Sequence, residues 1–306
     1  MPEESLHARG VFLRPHYLLS DGEIELLVRV FARLGVHKVR LTGGEPLLRP
    51  GFVELVSRIS CVEGITDLAL TTNAILLPRH ARPLKDAGLG RITVSLDSLD
   101  EAVFRQMAGG RGSVQEVFQG IRAAEAAGFK HLKINTVVQR GINEHTVMDL
   151  VAYFRNTGHT VRLIEFMDVG NVNHWDRELV VPSADLLKMV HGRWPVQPVA
   201  VQPVGETARR YTFDDGAGEI GFISSITEPF CGDCSRARIT AEGLFYSCLF
   251  SAKGTVLRDR IREGLGEDEL LEIVRGLWSK RADRYSELRN HLPQRQPHVE
   301  MYRMGG

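Results

Sequence analysis

The strongest constraint in this sequence is a conflict inside its strands. Short β-rich runs at 38–42 (KVRLT), 67–72 (DLALTT), 91–96 (RITVSL), 131–138 (HLKINTVV) and 161–166 (VRLIEF) alternate with helical patterns at 52–60, 79–88, 114–127 and 144–156. Strand then helix, recurring at roughly 25–40 residues, is the signature of parallel βα units, built as a barrel or as an open doubly wound sheet. A parallel strand covered by helices on both faces is apolar throughout. These strands instead set Val39 and Leu41 against Arg40 and Thr42, Ile92, Val94 and Leu96 against Thr93, Ser95 and Asp97, and Leu132 and Ile134 against Lys133 and Asn135. One face packs on helices and the other is polar. If such strands curl together, their polar faces line a common interior, and Arg40 and Lys133 are tolerable there only opposite something anionic. The expectation is a barrel whose lumen holds a charged ligand; edge strands with one wet face are the plainer alternative.

Composition narrows the class. The 306 residues are 43% hydrophobic and contain no 18-residue apolar run, which fits a globular chain with one large domain and a smaller one. Formal charge is zero and only seven of the 38 basic residues are Lys, so the overall balance points to no nucleic acid and no membrane as partner. Four cysteines make no disulfide framework, and no charged-then-apolar leader is present, so a cytoplasmic, reducing compartment is expected.

Residues 21–35 (DGEIELLVRVFARLG) space Ile24, Leu27, Val28 and Phe31 as a helix that stops at Gly35. Past about residue 170 the strand–helix rhythm breaks. A helix at 183–191, a Pro/Val/Gln-rich link at 195–205, short strands at 208–213 and 219–225, and helices at 254–263 and 267–281 follow, before a tail, QRQPHVEMYRMGG, that reads as mobile. This suggests a barrel over 1–205 and a second unit over 206–306.

The second unit carries the sharpest motif. FCGDCSRARITAEGLFYSCL places Cys231, Cys234 and Cys248 as C-x2-C-x13-C, and the first pair has the spacing at which two thiolates share a metal or cluster. A zinc knuckle would want a fourth ligand, and no further Cys or His lies in the stretch; a [4Fe-4S] cluster with one open iron needs three. Spacing alone leaves the two readings even. Cys61, distant in sequence, reads as a small buried hydrophobe. Arg236 and Arg238 follow the second cysteine, and two guanidinium forks there suit phosphates or carboxylates, although this is an Arg-rich chain. TGGEP ends the first run: its glycines bare the backbone for a ligand's close approach, with Glu45 nearby for charge, or they form a simple turn.

Taken in order, VRLTGGEPLLR, LTTNAILL, ITVSLDSLD, KINTVVQRGIN, IEFMDVG, FCGDCSRARITAEG…C and the terminal Gly305-Gly306 resemble the GTP 3′,8-cyclase family of radical S-adenosylmethionine enzymes, which opens molybdenum-cofactor biosynthesis. The resemblance implies an incomplete triosephosphate-isomerase-type (β/α) barrel plus a C-terminal iron–sulfur cluster domain. It implies that Gly44, Ser95 and Met167 line the S-adenosylmethionine site. GTP would be gripped by Arg40, Thr71, Lys133 and the run Arg236, Ala237 and Arg238, and Cys231, Cys234 and Cys248 would hold a [4Fe-4S] cluster whose open iron meets the guanine. The Gly-Gly tail would reach into the site. An electron donor is implied as a further partner, and a homodimer is left open.

One family part is not in the sequence. The cluster that cleaves S-adenosylmethionine uses C-x3-C-x2-C on the loop after the first barrel strand, typically followed by Met-Pro; this sequence begins MPEE and has no such motif. The expectation is a chain whose first strand and cluster loop precede Met1, inactive as written. The rivals are a GTP-binding paralogue without turnover and a zinc-knuckle structural protein. With the first strand missing, run 38–42 would be an open edge, and poor solubility would follow.

Overall fold

The fold is seen in a computed structural model, which describes residues 15–170, 173–202, 205–232, 234–289 and 299–304. Ser20 starts α1 (Asp21–Arg33) with a capping box: Glu23 N–H donates to Ser20 Oγ at 3.3 Å and Ser20 N–H to Glu23 Oε2 at 2.7 Å. Then come β1 (Lys38–Leu41), α2 (Phe52–Ser60), β2 (Asp67–Thr72), α3 (Leu77–Asp86), β3 (Arg91–Ser95), α4 (Glu101–Ala108), α5 (Val114–Ala126), β4 (Lys133–Val138), α6 (Val147–Phe154) and β5 (Thr160–Glu165). After these follow α7 (Ser183–Arg193), β6 (Val196–Pro198), β7 (Arg209–Phe213), β8 (Glu219–Ile223), β9 (Arg238–Ile239), β10 (Leu244–Tyr246), β11 (Thr255–Val256), α8 (Arg258–Arg262), α9 (Glu267–Ser279), α10 (Tyr285–Leu288) and α11 (Met301–Met304).

The strand and helix expectations hold in outline and fail locally for physical reasons. α4 has a cap, Asp100 accepting from Ala102 and Val103 N–H, but buries only Phe104, so no apolar period announces it. The helix expected at 254–263 opens instead as β11, which pairs with β10. Cys61 is exposed rather than buried, because it caps α2 after the last buried residue, Ile59.

One sheet runs β1-β2-β3-β4-β5-β8-β7-β6, parallel from β1 to β5 and on to β8, with β7 and β6 antiparallel. It continues past residue 205, since β8 is β5's neighbour, and β1 is its edge among the described residues. Leu68, Leu70, Ile92, Val94, Leu96, Ile134, Leu163 and Phe222 pack under the helices in the main core. Period-two geometry then turns the intervening residues to the other face. The register arranges that face in rows: Arg40, Ala69 and Arg91; Thr71, Thr93, Lys133 and Thr160; Ser95, Asn135, Arg162 and Gly221. The polar lumen anticipated from alternation is therefore present.

The C-terminal part closes on α1. Leu27 and Val30 of α1 join Phe245, Leu257, Leu270, Leu271 and Val274 in a separate core, and Arg33 pairs with Glu267 at 3.1 Å and Asp268 at 2.7 Å along its rim. The small three-stranded sheet β11-β10-β9 sits in this part.

Close packing also fixes one glycine. On α5, a Cβ at Gly120 would lie 2.0 Å from the carbonyl oxygen of Ala74, itself buried with φ 69°. Gly120→Ala is expected to lower stability by about 1–3 kcal/mol through overpacking. Gly276→Ala on α9, where a Cβ meets nothing within 4 Å, is expected to be neutral or stabilising. Urea unfolding of both variants beside the parent checks the contrast.

Candidate active site in the barrel lumen

The lumen is a cation-rich surface with few counter-charges. Arg162, 4% exposed in β5, reaches Asn135 Oδ1 with its Nε at 2.9 Å. It can do so because its row neighbour is Gly221: a Cβ there would stand 3.2 Å from the Arg162 Cγ. Burial, then Arg40, push its guanidinium down to about 10, with Glu206 opposing. Lys133 lies 3.8 Å from Glu206, and burial, then Arg162 and Arg91, push its ammonium down to about 8. Water reaches Arg40, yet enclosure by protein lowers its guanidinium, and Arg91 and Arg236 add to the shift against the pull of Asp67. Arg91 is itself held by Asp67, its Nε 2.7 Å from Oδ1. Among these groups Thr71 Oγ1 is buried with no hydrogen-bond partner.

The strand ends carry the second group. A Cβ at Gly43 or Gly44 would meet no atom within 4 Å, so this backbone is bare toward open space and not because a neighbour crowds it. Glu45 has a structural role beside it: its carboxylate accepts from Leu47 N–H at 3.1 Å, Thr72 Oγ1 at 2.8 Å and Asn73 N–H at 2.9 Å, tying the glycine turn to the end of β2. Burial raises its carboxyl pKa, and those donors work against the rise. Ser95 ends β3 and is exposed. Two residues on, Asp97 accepts from Val137 N–H at 2.8 Å, and burial pushes its carboxyl up to about 6. Met167 follows β5, half-buried beside Ile164, Ala208, Ile223 and Phe230, with its carbonyl accepting from Asn173 Nδ2 at 2.9 Å. Gly44, Ser95 and Met167 thus share the C-terminal end of the parallel strands.

The three cysteines stand on two turns. Cys234 N–H donates to Cys231 O at 3.2 Å, and Phe250 N–H points at Cys248 Sγ, 3.5 Å away. Burial, then Asp283 and the other two thiols, raise the Cys248 thiol, which places the three within electrostatic reach. Burial also works upward on Cys234, but the charge of Arg236 and donors from Arg281 and Arg236 outweigh it and leave that thiol lowered. Arg236 Nε and Nη2 sit 3.3 and 3.2 Å from Cys234 Sγ. Among the described residues no three Cys, His, Asp or Glu side chains converge on a point for one metal ion. Burial, then Arg236 and Arg40, depress Arg238 to about 10, with Cys248 and Cys234 pulling the other way, so charges of the cysteine-bearing turn and of β1 act on one group. Ala237 is exposed between the two arginines.

The tail corrects an expectation. Residues 299–304 are docked: Met304 is 3% exposed, its carbonyl accepts from Arg238 Nη1 at 3.2 Å, and Arg303 Nη2 lies 2.9 Å from Glu242. The mobile reading missed this because single short contacts, with no apolar period, hold the segment. Gly305-Gly306 lies outside the described residues.

Arg162 was not singled out from sequence, although the alternation that marks Arg40 and Lys133 applies equally to VRLIEF. Glu206 and Arg91 were missed as well; Glu206 sits in a loop and Arg91 at a strand's first residue, where alternation gives little signal. No helix among the described residues is long and apolar enough to cross a membrane.

The comparisons with known proteins agree with this geometry. The Radical SAM superfamily model matches residues 7–154 and the Molybdenum Cofactor Synthesis C model matches 159–287. A GTP 3′,8-cyclase of Xanthomonas campestris pv. campestris (strain 8004) is 54% identical over 288 residues, covering 94% of this chain and 84% of that one. Those of Acidothermus cellulolyticus and Aquifex aeolicus are 45% and 43% identical, covering 94% and 96% of this chain and 81% and 89% of theirs. In fold, native anSMEcpe with bound AdoMet and Cp18Cys peptide is similar with a TM-score of 0.57 at 13% identity, over 99% of this chain and 89% of that one. The fold is thus that of a partial (β/α) barrel with a C-terminal part, and by identity and coverage the chain belongs to the GTP 3′,8-cyclase family of radical S-adenosylmethionine enzymes.

Proposed function

We propose that the lumen binds GTP for conversion to (8S)-3′,8-cyclo-7,8-dihydroguanosine 5′-triphosphate, the first step of molybdenum-cofactor biosynthesis. The observation that carries this reading is the convergence of Arg40, Lys133, Arg162, Arg236 and Arg238: burial opposes the charged forms of Arg40, Lys133, Arg162 and Arg238, and Arg236 adds its charge beside Arg40 and Arg238. Neighbouring cations lower one another's hold on a proton at Arg40, Lys133, Arg162 and Arg238, with Asp67 and Glu206 pulling the other way at Arg40, Lys133 and Arg162. A polyanion relieves that repulsion. The triphosphate would take the guanidinium forks of Arg40, Arg162, Arg236 and Arg238 and the ammonium of Lys133, while Thr71 Oγ1 offers an unused donor. Gly44, Ser95 and Met167 would line the S-adenosylmethionine end, where bare backbone meets open space.

Cys231, Cys234 and Cys248 would hold a [4Fe-4S] cluster, a reading supported by their C-x2-C-x13-C spacing and by the charge coupling of Cys248 to the other two thiols. When bound, such a cluster supplies an open iron able to take a donor atom of the guanine. The protein's own part is placement: Arg236 and Arg238 closely follow Cys234, so a nucleotide gripped by those forks would lie beside the thiols. Closing C3′ onto C8 requires the ribose and base in one fixed relation, which two anchoring ends enforce. An electron donor completes the partners.

Lys133 gives a pH test. Its cation is present below about 8 and lost above, so GTP affinity is expected to hold level to about pH 8 and to fall beyond it. Lys133→Gln should bind more weakly at pH 7 and lose this break; calorimetry from pH 6.5 to 9 reads both. The 306 residues contain one C-x2-C-x13-C set and no C-x3-C-x2-C. This polypeptide, reconstituted anaerobically, is therefore expected to take up about four iron atoms, absorb near ~400 nm, and leave S-adenosylmethionine intact. Zinc in place of iron, or release of 5′-deoxyadenosine, would count against that assignment.

A further inference from the structure

The segment from Arg281 to Arg289 touches both cysteine turns and the barrel rim, and its last residue is buried where a surface arginine would be expected. Arg281 donates to the carbonyl of Cys234. Asp283 accepts from Ser247 Oγ, next to Cys248, and lies 3.5 Å from Ser251 Oγ on the far side of that turn. Arg289 then enters the barrel end. Its side chain is 8% exposed; its Nη2 lies 2.8 Å from Asp168 Oδ1 and its Nε 3.0 Å from Asp168 Oδ2, and its Nη1 reaches Ser225 O at 3.3 Å. Asp168 is 1% exposed and also accepts from Tyr285 Oη at 2.8 Å. The guanidinium covers the rings of Phe250 at 5.1 Å and Tyr285 at 5.3 Å, and those rings stack on each other at 4.8 Å. Phe250 is the residue whose N–H points at Cys248 Sγ.

These contacts form one rigid path. It begins at Asp168, which follows Met167 at the end of β5, crosses through Arg289 to Ser225 beyond β8, and ends at the Cys248 turn through Phe250. A guanidinium held by one hydrogen bond from Nε to Asp168 Oδ2, a second close charge contact from Nη2 to Oδ1 and two ring faces is fixed in orientation as well as in distance, unlike a single point charge. A buried ion pair is weak evidence for stability, and its best-attested use is to specify one arrangement.

We propose that Asp168 and Arg289 are positioning residues, which set the three-cysteine turns and the attached Arg236 and Arg238 at one fixed place against the barrel end that carries Met167. The proposal rests on the site reading above, in which the thiols hold a cluster and the arginines hold GTP. Breaking the pair lets the cysteine-bearing part shift relative to Arg40, Lys133 and Arg162, so the two halves of the nucleotide grip no longer coincide.

The test uses the full chain, reconstituted with iron and sulfide and reduced, with GTP as the probe. Arg289→Ala is expected to keep its iron while GTP binds about tenfold more weakly and the change that GTP produces in the cluster's electron paramagnetic resonance spectrum is lost. Arg289→Lys, which keeps the charge without the fork or the stacking, should recover part of both. Tyr285→Phe removes one hydrogen bond to Asp168 and should weaken GTP about threefold; if Arg289→Ala does not fold, this variant decides. Unchanged affinity and an unchanged spectral response in the folded variants, where the parent responds, overturn the positioning role alone. A parent chain that takes up no iron or binds no GTP overturns the site reading, and the positioning role falls with it.

Discussion

Everything in this structure is arranged around positive charge kept inside a barrel. Burying a cation without a partner is costly, and proteins ordinarily avoid it or neutralise the group. Here the sheet presents Arg40, Lys133 and Arg162 from β1, β4 and β5 inward, and the cysteine turn adds Arg236 and Arg238 to the same surface. The helices pay for this elsewhere, through an apolar core that holds the outer face of every parallel strand. Packing on that outer side keeps the strands in place without help from the polar face.

The same division explains the second unit. It has a small core closed on α1 and a three-stranded sheet of its own. Its contribution to the site comes through a few directed contacts: the Arg236 guanidinium on a thiol, a carbonyl from the tail, and the Arg289 guanidinium on the buried Asp168 at the barrel's strand end. Where the barrel supplies a charged wall by repetition, this part supplies single groups by placement.

What the sequence revealed follows that split. The lumen was legible because a strand repeats every two residues, so alternation alone assigns Arg40 and Lys133 to one face. The cysteine triad was legible because ligand spacing is local. Arg289 and Asp168 could not be paired that way, since 121 residues separate them and neither belongs to a periodic pattern. The docked tail was hidden for the same reason: Arg238 and Met304 meet only through the fold. Cys61 shows the opposite error, where an average preference for burial was applied to a residue that closes a helix at the surface.

Gly221 deserves a last thought, because its effect comes from an atom it does not have. With no Cβ on β8, the neighbouring strand can lay the stem of Arg162 across it and keep the guanidinium inside the lumen. A Cβ there would stand 3.2 Å from both the Arg162 Cγ and the Ala208 Cβ, so a side chain would press on the stem without altering a single ionisable group, and the placing of that charge is partly a matter of volume.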